Sequence, residues 1–223
     1  MIKKSVCFII MSLFLGCASP GVHPPSSQVP DSGPPAFMKD YITPPKERKL
    51  IAIAGFQNKS TYSADKLWDT SAQMLTSHIL DMGYFRVTEW DKIKQLFDWR
   101  DLSSMNVVNS PEKRNKMRKI LLCEYFLTGA ITAFDVSQRS SMSAIYKFKL
   151  FETTIRVDLS LQDAVTGEYL SAGTGEWTET QEFAEGKLGT WEPKVADKAL
   201  DYAIRKALLN LTEKYDKFFR EQG

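Results

Sequence analysis

The sequence predicts an α/β fold, α+β in strict naming: a mixed β-sheet with helices packed on it, a β-α-β start, an antiparallel β-rich second half and a long C-terminal helix. Three observations carry that expectation. A short apolar run, Leu50–Phe56, precedes a helix-period stretch and a second short apolar run, the pattern of a parallel β-α-β unit. Ile155, Val157, Leu159 and Leu161 alternate with Thr154, Arg156, Asp158, Ser160 and Gln162, the period of a half-buried strand. From Pro193 onward apolar side chains recur every three or four positions, as on one face of a long helix.

Taken in order, Lys49–Phe56 reads as a buried strand and Gln57–Thr61 as a polar loop. Ser63 is a candidate N-cap for a helix reaching Met82, with Trp68, Ala72, Leu75, Ile79 and Met82 on one face and Gly83 as its stop. Tyr84–Glu89 reads as a strand, and Trp90–Trp99 as a helix with Ile93, Leu96 and Phe97 inward. Asp101–Asn109 reads as a loop. Ser110-Pro111-Glu112 then opens a helix, with an N-cap, Pro at the first position and an acid in the first turn. That helix carries Lys113, Arg114, Lys116, Arg118 and Lys119, a solvated face in a chain of balanced charge. Tyr125–Phe134 is a strand, Asp163–Glu168 a turn, and Tyr169–Thr180 the returning strand. Ala196, Leu200, Ala203, Ile204, Ala207, Leu208, Leu211 and Tyr215 form the stripe of the last helix. The expected order is β-α-β-α-α-β-β-β-α.

The N-terminus is of another kind. Lys3 and Lys4 precede the apolar run Val6–Gly16, too short to span a bilayer, which takes ~20 residues. Phe14-Leu15-Gly16-Cys17 resembles the bacterial lipobox, with Phe14 where Leu is usual. The resemblance implies a signal peptide over residues 1–16 and acylation of Cys17. Ala18 and Ser19 lack the Asp of inner-membrane lipoproteins, which implies an outer-membrane anchor facing the periplasm. Residues 17–48 hold Pro20, Pro24, Pro25, Pro30, Pro34, Pro35, Pro44 and Pro45 and read as an extended tether. Phe37, Met38, Tyr41 and Ile42 break its composition as candidates to dock on the domain or a neighbour. Residues 49–223 form the domain.

The chain has 29 Lys+Arg and 27 Asp+Glu, and losing Lys3 and Lys4 with the signal balances them. No global field then draws nucleic acid or anionic lipid. With Cys7 removed and Cys17 acylated, Cys123 stands alone in the apolar run Ile120–Leu127, a buried small hydrophobe rather than a disulfide partner. His23 lies in the tether, and His78 has no ligand-spaced partner, so it reads as a structural or surface histidine. The sequence holds no metal-ligand pair, no Ser-His-Asp set and no glycine-rich phosphate loop; Gly173-Thr-Gly175 lies within a strand. Glu176, Glu179, Glu182 and Glu185 read as a solvated edge. The expectation is a non-enzymatic binding or assembly protein with no cofactor.

Five stretches together resemble the curli-secretion lipoprotein (CsgG-like) family. They are the lipobox with its tether, Ile51–Asn58 with the helix after it, Tyr84–Glu89, Tyr125–Ile131, and Val157–Glu168 ending in Thr-Gly-Glu. Glu192-Pro193 before the last helix fits as well. The resemblance implies a periplasmic domain that assembles into rings, each subunit lending two β-hairpins to a shared outer-membrane barrel for export. Val136–Thr154 is long enough for one hairpin, and Tyr146, Phe148 and Leu150 alternate with Lys147 and Lys149. These three side chains are candidates either for lipid contact or for packing between subunits. Ala172–Trp191 is short and acidic for a second hairpin. The constriction loop is shortened between Asn58 and Ala64, leaving Tyr62 and Trp68 as candidate pore-loop residues. Expected partners are the outer membrane, copies of the same chain, and envelope or secretion proteins. The alternative reading is an LpoB-like activator of a peptidoglycan synthase.

Overall fold

The computed structural model describes residues 47–62, 66–142, 147–183 and 191–221. The expected signal peptide, Cys17 and all of the tether but Glu47 and Arg48 lie outside these residues, as do Ser63, Tyr146 and Glu185.

The apolar run after Lys49 forms β1 (Leu50–Asn58), with Ile51 to Ala54 and Phe56 fully buried. Helix α1 (Leu67–Met82) buries Ala72, Leu75 and Ile79 completely. It begins later than the expected cap: the residue before it is Lys66, in left-handed backbone with no side-chain cap. Gly83 ends it at φ 66°, its N–H reaching Ile79 O at 3.1 Å, a conformation a side chain would strain.

Strand β2 (Arg86–Val87) is shorter than expected. Tyr84 and Phe85 leave the ladder and pack their rings edge-on against Tyr215. The helix expected over Trp90–Trp99 divides into α2 (Trp90–Leu96) and α3 (Trp99–Ser103). Phe97 is extended, and the Asp98 carboxylate accepts the Arg100 N–H at 2.8 Å to start the second piece. Leu96, expected inward, is 52% exposed because the break ends its periodicity. The expected loop Asp101–Asn109 is also corrected: it carries most of α3 and all of α4 (Asn106–Asn109). Leu102, Val107 and Val108 are buried there, so local burial overrides the turn-forming Ser and Asn residues around them. Helix α5 (Pro111–Leu121) starts at Ser110 as expected and buries Met117. Lys113, Lys116 and Lys119 face outward, whereas Arg114 and Arg118 are half-buried, Arg114 donating to Val108 O and Thr166 O at 3.4 Å each, so the expected solvated face holds only for the lysines.

The second half is longer than its alternating cores suggest. β3 (Tyr125–Met142), β4 (Lys147–Asp163) and β5 (Tyr169–Phe183) pair antiparallel, and the β3/β4 register runs from Tyr125↔Asp163 out to Met142↔Lys147. The Val136–Thr154 insertion is therefore the outer half of one hairpin. Asp163 Oδ1 accepts the N–H groups of Val165 and Thr166 at 2.8 Å each, and Gly167 at φ 80° completes the turn into β5.

The sheet order is β2-β1-β3-β4-β5, parallel through β3 and antiparallel beyond it. Helix α6 (Pro193–Glu221) packs on β4 and β5 and touches α1. Its whole expected stripe, Ala196 to Tyr215, is buried. Gly173 and Gly175 explain how closely it lies. A Cβ on Gly173 would stand 2.1 Å from Ala207 O, and one on Gly175 2.1 Å from Ala203 O. The two glycines thus belong to a helix-strand contact in which the backbones nearly touch.

Candidate interaction surfaces

Beyond Ile131, β3 pairs with β4 alone among the described residues, because its parallel pairing with β1 runs only from Tyr125 to Ile131. β5 ends the sheet order. The outer parts of β3, β4 and β5 therefore make a three-stranded blade whose two edges have no strand partner among the described residues. Helix α6 already meets the base of the β5 edge, where Lys214, Asn210 and Lys206 donate to the carbonyls of Ala172, Thr174 and Glu176. Asp135 to Ser140 are all exposed. Leu150 is half-buried and opposite Arg139, whose Nε lies 3.1 Å from Glu152 Oε2. Phe148 pairs with Ser141 in the ladder. The blade is thus polar around Leu150, with an ion pair on that face. On β5, Glu176 and Glu182 are exposed as expected, but Glu179 departs from the expected solvated edge: its side chain is half-buried, pairs with Lys198 of α6 and accepts from Trp177 Nε1 at 3.2 Å.

Tyr62 and Trp68 belong to different aromatic clusters. Tyr62 stacks on Phe134 with centroids 4.0 Å apart and planes 9° off parallel, and Trp191 meets it edge-on at 6.1 Å. Asn58 Nδ2 donates to Tyr62 O at 2.6 Å, pinning the turn after β1 at the root of the blade. Trp68, half-buried on α1, meets Trp90 edge-on at 6.0 Å, and Trp90 Nε1 donates to Asp69 at 2.6 Å. Both residues are held by packing on the domain body.

The opposite end of the sheet, where β1 and β3 begin, carries two adjoining clefts that sequence reasoning missed. One, about 450 Å³, is lined by Glu47, Arg48, Lys49, Arg86 and Glu124. The other, about 510 Å³, shares Lys49 and Glu124 and adds Arg118, Leu122, Asp163 and Val165. Lys49 Nζ donates to Glu124 Oε1 at 2.9 Å, and Glu124 Oε2 accepts the Leu50 N–H at 2.9 Å. That hydrogen bond raises the Lys49 pKa. At Glu124 desolvation pushes the carboxyl up, but the bonds from Lys49 and Leu50 outweigh it, and the net shift is downward. The only hint in the sequence was the pair of charges flanking two apolar runs.

His78 and Cys123 are structural, as their contexts implied. His78 Nε2 lies 2.7 Å from Asp201 Oδ1, bridging α1 to α6, and Arg205 shares that carboxylate at 2.9 Å. Burial lowers the His78 pKa; the attraction of Asp201 opposes this, and Arg205 adds to it. Burial pushes the Cys123 thiol up to about 12. Among the described residues no group of three or more His, Cys, Asp or Glu is placed to hold a metal. No helix among them is long and apolar enough to cross a membrane.

The family model described as curli production assembly/transport component CsgG matches residues 38–215, well over half of the chain. The chain belongs to the CsgG family. Among curated proteins, none matches the sequence. Several solved structures resemble this CsgG-family domain in fold. Lipoprotein GNA1162 from Neisseria meningitidis is 13% identical over 68% of this chain and 92% of its own, with a TM-score of 0.40. The LpoB C-terminal domain from Salmonella enterica is 13% identical over 61% of this chain and 85% of its own, at 0.40. The PelC dodecamer from Paraburkholderia phytofirmans is 14% identical over 76% and 94%, at 0.39. These likenesses carry no functional argument, and membership of the CsgG family rests on the family model.

Proposed function

We propose that this CsgG-family chain is a non-enzymatic outer-membrane lipoprotein, anchored through acyl chains on Cys17, whose periplasmic domain self-associates in secretion or envelope assembly. Residues 1–16 are its signal peptide and 17–48 carry the anchor and tether. The observation that carries the reading is the family match over residues 38–215. The lipobox-like Phe14–Cys17 supports the anchor, since several acyl chains exceed what stable membrane attachment takes. The blade supports self-association: among the described residues the outer half of β3 and the end of β5 beyond Glu176 have no strand on their outer side, and a neighbouring copy could pair them. The ion pair and exposed polar run around Leu150 favour a wet or subunit-facing role for that surface over continuous lipid contact.

The test is the particle mass and shape of the detergent-extracted mature protein, by light scattering with negative-stain imaging. A closed ring is the expected result. A monodisperse monomer overturns the assembly reading and directs the search to pull-downs with peptidoglycan synthases, the LpoB-like alternative. Cys17→Ser tests the anchor separately: the variant is expected in the soluble periplasmic fraction, and full retention in membranes refutes acylation as the attachment.

A further inference from the structure

We propose that residues 37–43 (Phe-Met-Lys-Asp-Tyr-Ile-Thr) dock in cis into the cleft at the start of β1 and β3, covering Leu122 and Val165. The proposal does not depend on ring formation.

Leu122 breaks two local rules at once. It ends α5 in left-handed backbone, φ 52°, where glycine or asparagine would sit with less strain. Its side chain is nevertheless 78% exposed, and Val165, which lines the same cleft, is 58% exposed. Lone exposed apolar residues are ordinary, but two on the lips of one cleft of about 510 Å³ mark a surface that something covers.

The position and composition of the upstream chain name the occupant. The described residues begin at Glu47, which lines the neighbouring cleft. The two clefts share Lys49 and Glu124, so the chain arrives already at the rim. Five residues of Pro-rich chain upstream of Glu47 can span up to about 15 Å, and Pro44-Pro45 restricts the freedom lost on docking. That reach presents Tyr41 and Ile42, with Phe37 and Met38 beyond, the large apolar residues that interrupt the Pro- and Ser-rich tether. Lys39 and Asp40 between them suit a rim of mixed sign, Arg118 with Asp163. The family match independently begins at residue 38, placing this segment with the domain rather than with the spacer. Docking would leave residues 17–36 as the working tether.

Hydrogen exchange by mass spectrometry on the mature Cys17→Ser chain tests this, against Tyr41→Asp/Ile42→Asp and Leu122→Asp/Val165→Asp variants. Leu122 and Val165 stand in solvent, so the second pair leaves the fold intact, which thermal melting checks. In the parent, amides of residues 37–43 are expected to exchange at least about tenfold more slowly than in an unstructured peptide. Either double variant should restore the peptide rate, and dilution should change nothing. Peptide-rate exchange in the parent overturns the proposal, as does protection that survives Leu122→Asp/Val165→Asp. Protection lost on dilution also overturns it, assigning the cleft to a segment from a second copy.

Discussion

Replacing Gly175 with alanine puts a methyl group where α6 already lies. The added Cβ would stand 2.1 Å from Ala203 O and 2.4 Å from Ala207 N. Both are helix backbone atoms, so no side chain can swing away. Reaching even 3.0 Å, below which real Cβ contacts do not occur, requires the helix and strand to part by roughly 0.9 Å. A gap of that size forfeits about a quarter to a half of each dispersion contact along the seam. Overpacking of this kind costs about 1–3 kcal/mol. The methyl's own burial returns ~0.8 kcal/mol, and the lost freedom of the unfolded chain ~0.4–1 kcal/mol. The backbone clash places the cost at the top of its range, leaving a net loss of about 1–2 kcal/mol. Urea unfolding of the mature Cys17→Ser chain reads this as a midpoint lowered by about 0.5–1 M, for a slope near 2 kcal/mol/M. Gly173→Ala should behave alike, since its Cβ would meet Ala207 O and Leu211 N. The double variant should cost less than the sum, because a helix already lifted has made room for the second methyl. A Gly175→Ala midpoint equal to or above the parent's refutes the close-approach reasoning, and strict additivity refutes the shared displacement.

Cys123, with its thiol near 12, should leave about one molecule in ten thousand as thiolate at pH 8. Ellman's reagent should find no reactive thiol in the folded Cys17→Ser chain and one in urea; rapid reaction without denaturant contradicts the burial. Because folding lowers the His78 pKa below the ordinary 6.5, the unfolded chain takes up the proton more readily. Stability should therefore fall as pH drops through 6.5 and go on falling until pH has passed the lowered folded value. His78→Gln should flatten the pH slope of the urea midpoint, and an unchanged slope removes His78 as the cause. Leu102→Ala should cost about 2–5 kcal/mol, whereas Leu96→Asp, at a 52%-exposed site, should stay within about 0.5 kcal/mol. Similar losses from both would mean that the break between α2 and α3 is misplaced.

What could be read from sequence was what one element determines within itself. The stripe Ala72, Leu75, Ile79, the alternation Ile155 to Leu161 and the stripe Ala203 to Leu211 are each a chemical pattern repeating at the period of its own backbone, and all proved buried. Gly83 and Ser110-Pro111 likewise marked helix ends through local hydrogen bonds. The misses have a common cause. Leu102, Val107 and Val108 sit in turns of helix too short to show a period, and become core only because β1 and its neighbours cover them. The outer blade has a mixed polar sequence, so its length follows from cross-strand pairing between distant segments. Gly173 and Gly175 faced Ala203 and Ala207 across the chain, small residues opposite small residues, but spacing within each segment could not say that they met. The cleft of Lys49, Glu124, Leu122 and Val165 gathers residues from β1, the end of α5 and the β4–β5 turn. Sequence periodicity reports the environment of a face; which faces meet, and what opening remains between them, depends on contacts between segments far apart in the chain, and those only tertiary packing decides.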